Sequence, residues 1–221
     1  MRRCRTGLAL VVAIACLTPI AASNAAQDDY LAWSPKQADT IGKSTYQTGQ
    51  VGRTVDLRVL RRERSYNYKL AATLLTPDVI KATVRLQMLS GRLDEAGARA
   101  MTAEAINPAE IVVLVEIDPR EGSGVIPDDW IAQLEPSAGK DRTFPAVTGR
   151  KTPERRTHPA FQGVRRRDYA YDRFWVAFPL TKDDVSVIPP EASEVQLVVR
   201  IYDKVGRVTW SLTPDLRRAL R

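Results

Sequence analysis

The chain predicts a mainly β (α+β) protein. The expected form is an antiparallel immunoglobulin-like β-sandwich with an inserted helical hairpin at about 77–106 and a long basic loop at about 137–168. Three observations predict it. About seven short runs have strand character, most of them alternating apolar and polar residues, with turn residues between them. Only 77–106 carries paired helix start and stop signals. The strand–helix–strand rhythm of a parallel sheet is missing.

The elements follow in order. Thr54–Leu60 alternates Val55, Leu57 and Val59 with polar neighbours, as a half-buried strand does. Arg61-Arg62-Glu63-Arg64 makes a charged turn, and Tyr66, Tyr68, Leu70, Ala72 and Leu74 alternate again as a second strand. Thr76-Pro77-Asp78 is a helix start: a hydroxyl cap, a proline at the first position, and an acid at the positive end of the dipole. Ile80, Ala82, Val84, Leu86 and Met88 nevertheless alternate like a strand. The start signal and Gly91 favour a helix over 77–90, followed by a second helix over Asp94–Ile106.

Ile111–Ile117 is the strongest strand, with five of seven residues β-branched. Asp118–Gly124 turns the chain, and Trp130–Leu134 reads as a strand ended by Pro136. An irregular stretch over 137–168 follows, punctuated by Gly139, Pro145, Gly149, Pro153, Pro159 and Gly163. Tyr169–Leu180 resumes β character. Val195–Tyr202 and Arg207–Leu212 form a hairpin about Asp203–Gly206, with Trp210 expected on the core.

The domain plan is a signal segment at 1–26, a flexible leader at 27–50, one sandwich domain at 51–213 and a charged tail at 214–221. Arg2, Arg3 and Arg5 precede an uncharged apolar run over Gly7–Leu17, Pro19 breaks it, and small residues run from Ala21 to Ala26. That is the layout of a secretory signal, and the run is shorter than the roughly 20 residues a membrane span needs. Cleavage after Ala25 or Ala26 predicts an exported, periplasmic or secreted protein. The competing route is lipid attachment at Cys16, after Ala13-Ile14-Ala15, which would anchor it to a membrane. Arg2-Arg3 is a weak twin-arginine signal.

Both cysteines, Cys4 and Cys16, fall inside that segment. Cleavage leaves no thiol for disulfides, nucleophilic catalysis or metal ligation. His158 is the single histidine and has no nucleophile motif beside it, so a Ser–His–Asp triad is not expected and a multi-histidine zinc site is excluded. The acidic window of Glu116, Asp118, Glu121, Asp128 and Asp129 does not match a calcium loop. Gly122-Ser123-Gly124 is too short for a phosphate loop. No cofactor, metal or catalytic residue is predicted.

Charge is the remaining signal. Without 1–26 the chain keeps 30 Lys and Arg against 26 Asp and Glu. Ser137–Arg173 alone holds ten cations and four acids, so the rest of the body is slightly acidic. The expected anion-binding residues are Lys151, Arg155, Arg156, Arg165, Arg166 and Arg167, on a mobile surface segment interleaved with aromatic rings. In an exported protein the expected contact is an anionic envelope component or a protein partner. Nucleic acid is disfavoured, and membrane contact is expected only with lipid at Cys16. The function expected is a non-enzymatic binding or scaffolding module of the cell envelope. The alternatives are a small hydrolase working through carboxylates alone, and an accessory subunit of an envelope or secretion assembly.

Overall fold

The computed structural model describes residues 30–51, 68–119, 125–139, 143–165 and 171–220. The strand expected over Thr54–Leu60, the turn after it, Glu121, Arg166 and Arg167 lie outside the described residues. So does the signal segment.

Among the described residues the protein is mainly β, antiparallel, with four α-helices. In chain order these are α1 (Pro35–Lys43), β1 (Tyr46–Val51), β2 (Tyr68–Leu74), α2 (Pro77–Leu89), α3 (Glu95–Ala105), β3 (Glu110–Pro119) and β4 (Ile131–Ser137). They continue with β5 (Val147–Thr148), β6 (Arg150–Lys151), β7 (Asp172–Pro179), β8 (Thr181–Lys182), β9 (Val185–Ser186), β10 (Glu194–Ile201), β11 (Lys204–Ser211) and α4 (Pro214–Ala219). Among the described residues no helix is long and apolar enough to cross a membrane.

The main ladder runs β5-β4-β10-β11-β1-β2-β3-β7-β6, and β8–β9 is a separate hairpin. The two ends of this order are one piece of chain. Val147 and Thr148 pair with Leu134 and Gln133 of β4, while Arg150 and Lys151 pair with Ala177 and Val176 of β7. Gly149 lies between them and donates its N–H to the Ala132 carbonyl at 2.9 Å. A Cβ there would sit 2.3 Å from a Val176 methyl and 2.6 Å from the Phe178 ring, so the pinch needs glycine. The ladder therefore closes on itself. Where the sequence predicts two sheets, the pairing is continuous. No alternation pattern reveals a closing strand that makes two residue pairs on each side.

The closed sheet has two groups of strands, or walls, β2-β3-β7 and β4-β10-β11, joined by β1 and by Val147–Lys151. Leu70, Leu74, Val113, Ile117 and Phe178 from the first wall pack with Leu134, Val195, Leu197, Ile201 and Trp210 from the second in one buried cluster. One hydrogen bond ties the walls across this core, and another ties the second wall to the start of β1. Tyr68 Oη donates to the Val199 carbonyl at 2.9 Å, and Trp210 Nε1 donates to the Thr45 carbonyl at 2.6 Å.

A second cluster lies on the outside of β2-β3-β7. Val112, Leu114 and Trp175 point outward and are covered by Val79, Ile80 and Val84 of α2, Ala98 and Ala105 of α3, and Tyr30, Ala160 and Phe161. This cover settles the conflict over 77–90. α2 is a helix capped by Thr76, and Val79, Ile80, Ala82, Thr83 and Val84 are all buried because packing surrounds it on several sides. Alternation there reflects all-round burial, not a strand. α3 starts where expected, with the Asp94 carboxylate accepting the Gly97 N–H at 2.7 Å.

Four expectations need correction. The leader expected to be flexible at 27–50 carries α1 and β1 over most of its length, and it docks through the buried Tyr30 and Leu31. Pro136 does not end β4. Its carbonyl accepts the Phe144 N–H on the side away from β10, so its nitrogen faces the edge, where no ladder donor is needed. The tail at 214–221 carries α4, which seats Leu216 and Leu220 on the core. The stretch 137–168 is packed where it is described, with Thr152 and Ala160 at 0 % exposure and Phe161 at 5 %.

Candidate anion-binding surface and cleft

The basic stretch is built on β7. Thr152 donates both its N–H and its hydroxyl to the Trp175 carbonyl, at 2.7 and 3.0 Å, and so pins the chain just after β6. A 3-10 turn at Pro153–Arg156 and another at Pro159–Gln162 follow. His158 joins them. Its Nδ1 accepts the Ala160 N–H at 3.3 Å, and its Nε2 lies 3.7 Å from Glu104, so the lone histidine caps a turn. Trp175 Nε1 donates to the Phe161 carbonyl at 2.7 Å and holds the second turn on the sheet.

Of the predicted cations that are described, Lys151, Arg155 and Arg165 each lie against a different aromatic ring. Lys151 donates its ammonium to the Asp128 carbonyl and stands 4.7 Å from the Trp130 ring centre. Burial of the ammonium pushes its pKa below 10.5, against the pull of Asp128 and Asp129. Arg155 lies over Phe161 at 5.1 Å and donates to Glu110 Oε2 at 2.6 Å. Its other terminal nitrogen, Nη1, is buried with no hydrogen-bond partner. Arg155 is thus largely taken up inside the fold, while Lys151 is exposed with its ammonium bonded to the Asp128 carbonyl.

Arg156 and Arg165 are exposed. Arg165 lies over the Tyr46 ring with its guanidinium carbon 3.7 Å from the ring centre. Spacing in the sequence did not show Arg173, which lies 5.9 Å from the Trp175 ring centre and donates to Gln162 Oε1 at 2.9 Å. Gln162 in turn donates to the Arg156 carbonyl at 2.7 Å, so Arg156 and Arg173 are braced by one side chain. The ring under Arg165 comes from β1, far away in sequence, and left no local signal, whereas Trp175 is two residues from Arg173 on β7.

Beside this surface, a cleft of about 1230 Å³ opens where α1 ends, α2 begins and α4 crosses the mouth of the barrel. Its floor includes Ile80, Ile111, Leu180 and Trp210, and its rim includes Gln47, Asp78, Asn107, Ser211 and Asp215. Glu110 lies at its inner edge. Burial alone would raise the Glu110 pKa. The hydrogen bond and charge of Arg155, with those of Arg150 at 3.4 Å, outweigh burial and hold the carboxyl below its ordinary 4.5. A carboxylate held charged in this way is the wrong state for a general acid near neutral pH. Among the described residues no group of three His, Cys, Asp or Glu side chains is placed to hold a metal ion. In the acidic window, Glu116 and Asp118 lie along β3, and Asp118 is 4.0 Å from Lys69.

No protein-family model matches the chain, and no curated protein or solved structure is significantly similar to it.

Proposed function

We propose that the protein is an exported, non-enzymatic binding or scaffolding module of the cell envelope that holds an anionic envelope component through its arginines. One observation carries this reading. Arg165 is exposed, stacked on Tyr46, and makes no hydrogen bond to a described acceptor. Stacking fixes the guanidinium plane and leaves its edge donors for a carboxylate or phosphate. Arg156 stands ready nearby in sequence, and Arg166 and Arg167 follow directly. The two walls serve as an immunoglobulin-like sandwich would, as a rigid body that presents contact residues on its connections.

The test is binding to vesicles containing about one-third anionic lipid, and to anionic glycans, over a salt series, since exposed charges lose reach beyond about 10 Å at roughly 0.1 M salt. Replacing Arg156, Arg165, Arg166 and Arg167 with Gln should weaken binding markedly and leave the melting temperature nearly unchanged. Absence of salt-sensitive binding by the wild type sinks the reading. Export is tested separately by intact mass. A start at Ala26 or Gln27 supports signal cleavage, and diacylglycerol on Cys16 would place the protein on a membrane instead.

A further inference from the structure

We propose that the anionic component is a linear anionic glycan, held as an extended chain across β1, β2, β3 and β7 and gripped by Arg165 at one end of that row and Arg173 at the other. It rests on the anion-binding reading and adds the form of the ligand: a polymer, and not a single headgroup or a small anion.

The strand register fixes the spacing of the two arginines. Tyr46, Thr73, Leu114 and Trp175 stand opposite one another on β1, β2, β3 and β7. Opposite residues share a face, and Leu114 and Trp175 point outward, so the whole row does. The ring at each end of the row carries a guanidinium. Arg165 is 3.7 Å from the Tyr46 ring centre, and Arg173 is 5.9 Å from that of Trp175. Neighbouring strands lie about 4.8 Å apart, so three steps separate the two charges by about 14 Å. A lone phosphate or carboxylate cannot touch both. A chain with a charge on every unit can, with its axis across the strands.

Both ends of the row are held in place. Residues 161–165 follow it from β7 to β1. Trp175 Nε1 donates to the Phe161 carbonyl, and Gly163, at φ 70°, passes Leu114. Val164 then packs on Gly42 of α1, where a Cβ has no room. Arg165 is thereby delivered to Tyr46, while Gln162 holds Arg173 at the β7 end. Sites held at a set spacing lose little freedom when a chain of matching length binds.

Charge along the row favours an anion. Arg150 and Arg155 are paired with Glu110, but Arg156, Arg165 and Arg173 are exposed and make no ion pair among the described residues. Arg156 adds its charge beside Arg173, since Gln162 binds both. Of the nearby acids on β3, Glu116 is only 5 % exposed and Asp118 lies 4.0 Å from Lys69. α2 and α3 stand on the same outer face, and Glu95 and Glu104 of α3 are more than half exposed. A flat anionic bilayer laid on the arginines meets those acids, and a narrow chain along the row need not. In an exported protein such a chain is an anionic glycan.

The experiment titrates the full chain with mono-, tri-, hexa- and decagalacturonate, which carry one carboxylate per unit, at equal total carboxylate. The trimer is too short to reach both guanidinia and the hexamer spans them. Affinity per carboxylate should rise by at least about tenfold between trimer and hexamer. Arg165→Gln should return the hexamer to the level of the trimer without changing the melting temperature, and Arg173→Gln should do the same. Arg200→Gln, on the other wall, should leave the step intact. A flat length series overturns the inference, and salt-sensitive vesicle binding beside it would leave the anion-binding reading standing. Tighter binding to anionic vesicles than to decagalacturonate makes the partner a membrane and overturns the inference too. A step that survives Arg165→Gln with Arg173→Gln removes the arginine pair from it. Absence of salt-sensitive binding to vesicles and to every glycan length overturns both readings.

Discussion

The two walls of the barrel share one core and differ on their outer faces. On β3 every residue from Ile111 to Ile117 is buried, because the inner set faces the core and the outer set faces the helices. On β10 the pattern is alternating at its start: Glu194 is exposed, Val195 buried, Gln196 half-buried and Leu197 buried. Among the described residues no helix covers that wall. A strand covered on both faces reads as an unbroken apolar run, and a strand covered on one face alternates. Val198 is the instructive exception. It points outward yet is 2 % exposed, with Gln133 and Arg207 as its register neighbours, whose long stems shield it.

The largest test asks whether the walls depend on each other. Trp210 belongs to the bare wall but reaches across to Thr45 beside β1. Trp210→Ala should cost about 3–5 kcal/mol in urea denaturation. A loss below about 1 kcal/mol would mean the core between the walls is loose at that end. Next comes the helical cover. Leu114 is 1 % exposed on the outer face of the covered wall, so Leu114→Ala should cost about 2–5 kcal/mol. A near-neutral result would show that the helices sit on the barrel without stabilising it. The closure comes third. Gly149→Val forces a side chain into Val176 and Phe178 and should cost about 1–3 kcal/mol, with faster amide exchange at Gln133 and Ala177.

Smaller effects separate the walls by charge. Glu110 opens β3 and ties the basic stretch to the covered wall. Its folded-state pKa lies below 4.5, so the unfolded chain binds more protons in the interval between the two values. Its stabilisation is complete above 4.5 and is lost as pH falls through the folded value. Glu110→Gln should therefore flatten the decline in denaturation midpoint below that pH, and an unchanged slope would show the pair to be inert. On the bare wall Arg200 is exposed, and Arg200→Ala should change stability by less than about 0.5 kcal/mol. A larger loss would reveal a contact on a face that has no covering layer.

Period and capping carried most of the reading from sequence, and their limits are specific. The helices over 77–106 follow from their caps, the strand at Ile111–Ile117 from an unbroken buried run, and the last hairpin from alternating burial. Ser34-Pro35 and Thr213-Pro214 repeat the Thr76-Pro77 signal, and all three hydroxyls cap helices. Only Thr76-Pro77 precedes a long apolar run, so the other two helices were read as leader and tail. Of the predicted anion-binding residues, Arg156 and Arg165 are displayed, Lys151 is exposed but bonded to the Asp128 carbonyl, and Arg155 is turned inward onto Glu110. That division depends on Trp130, Phe161 and Glu110, which no spacing along the chain connects to them.

The pairing of Gln50 with Arg207 has a further consequence for how this chain comes to be folded. Contacts inside 77–106 and within the last hairpin are local and form early. β1, near the start, finds its second neighbour only after β11, more than 150 residues later, has been made. Loop closure over that distance is slow compared with hairpin formation. A chain arriving from its N-terminus, whether from a ribosome or through a translocation pore, therefore holds a helical layer and a half-wall with nothing opposite them until its final hairpin appears. The rate of that last step, and not the stability of either wall, sets how long the unfinished molecule is exposed to misassembly.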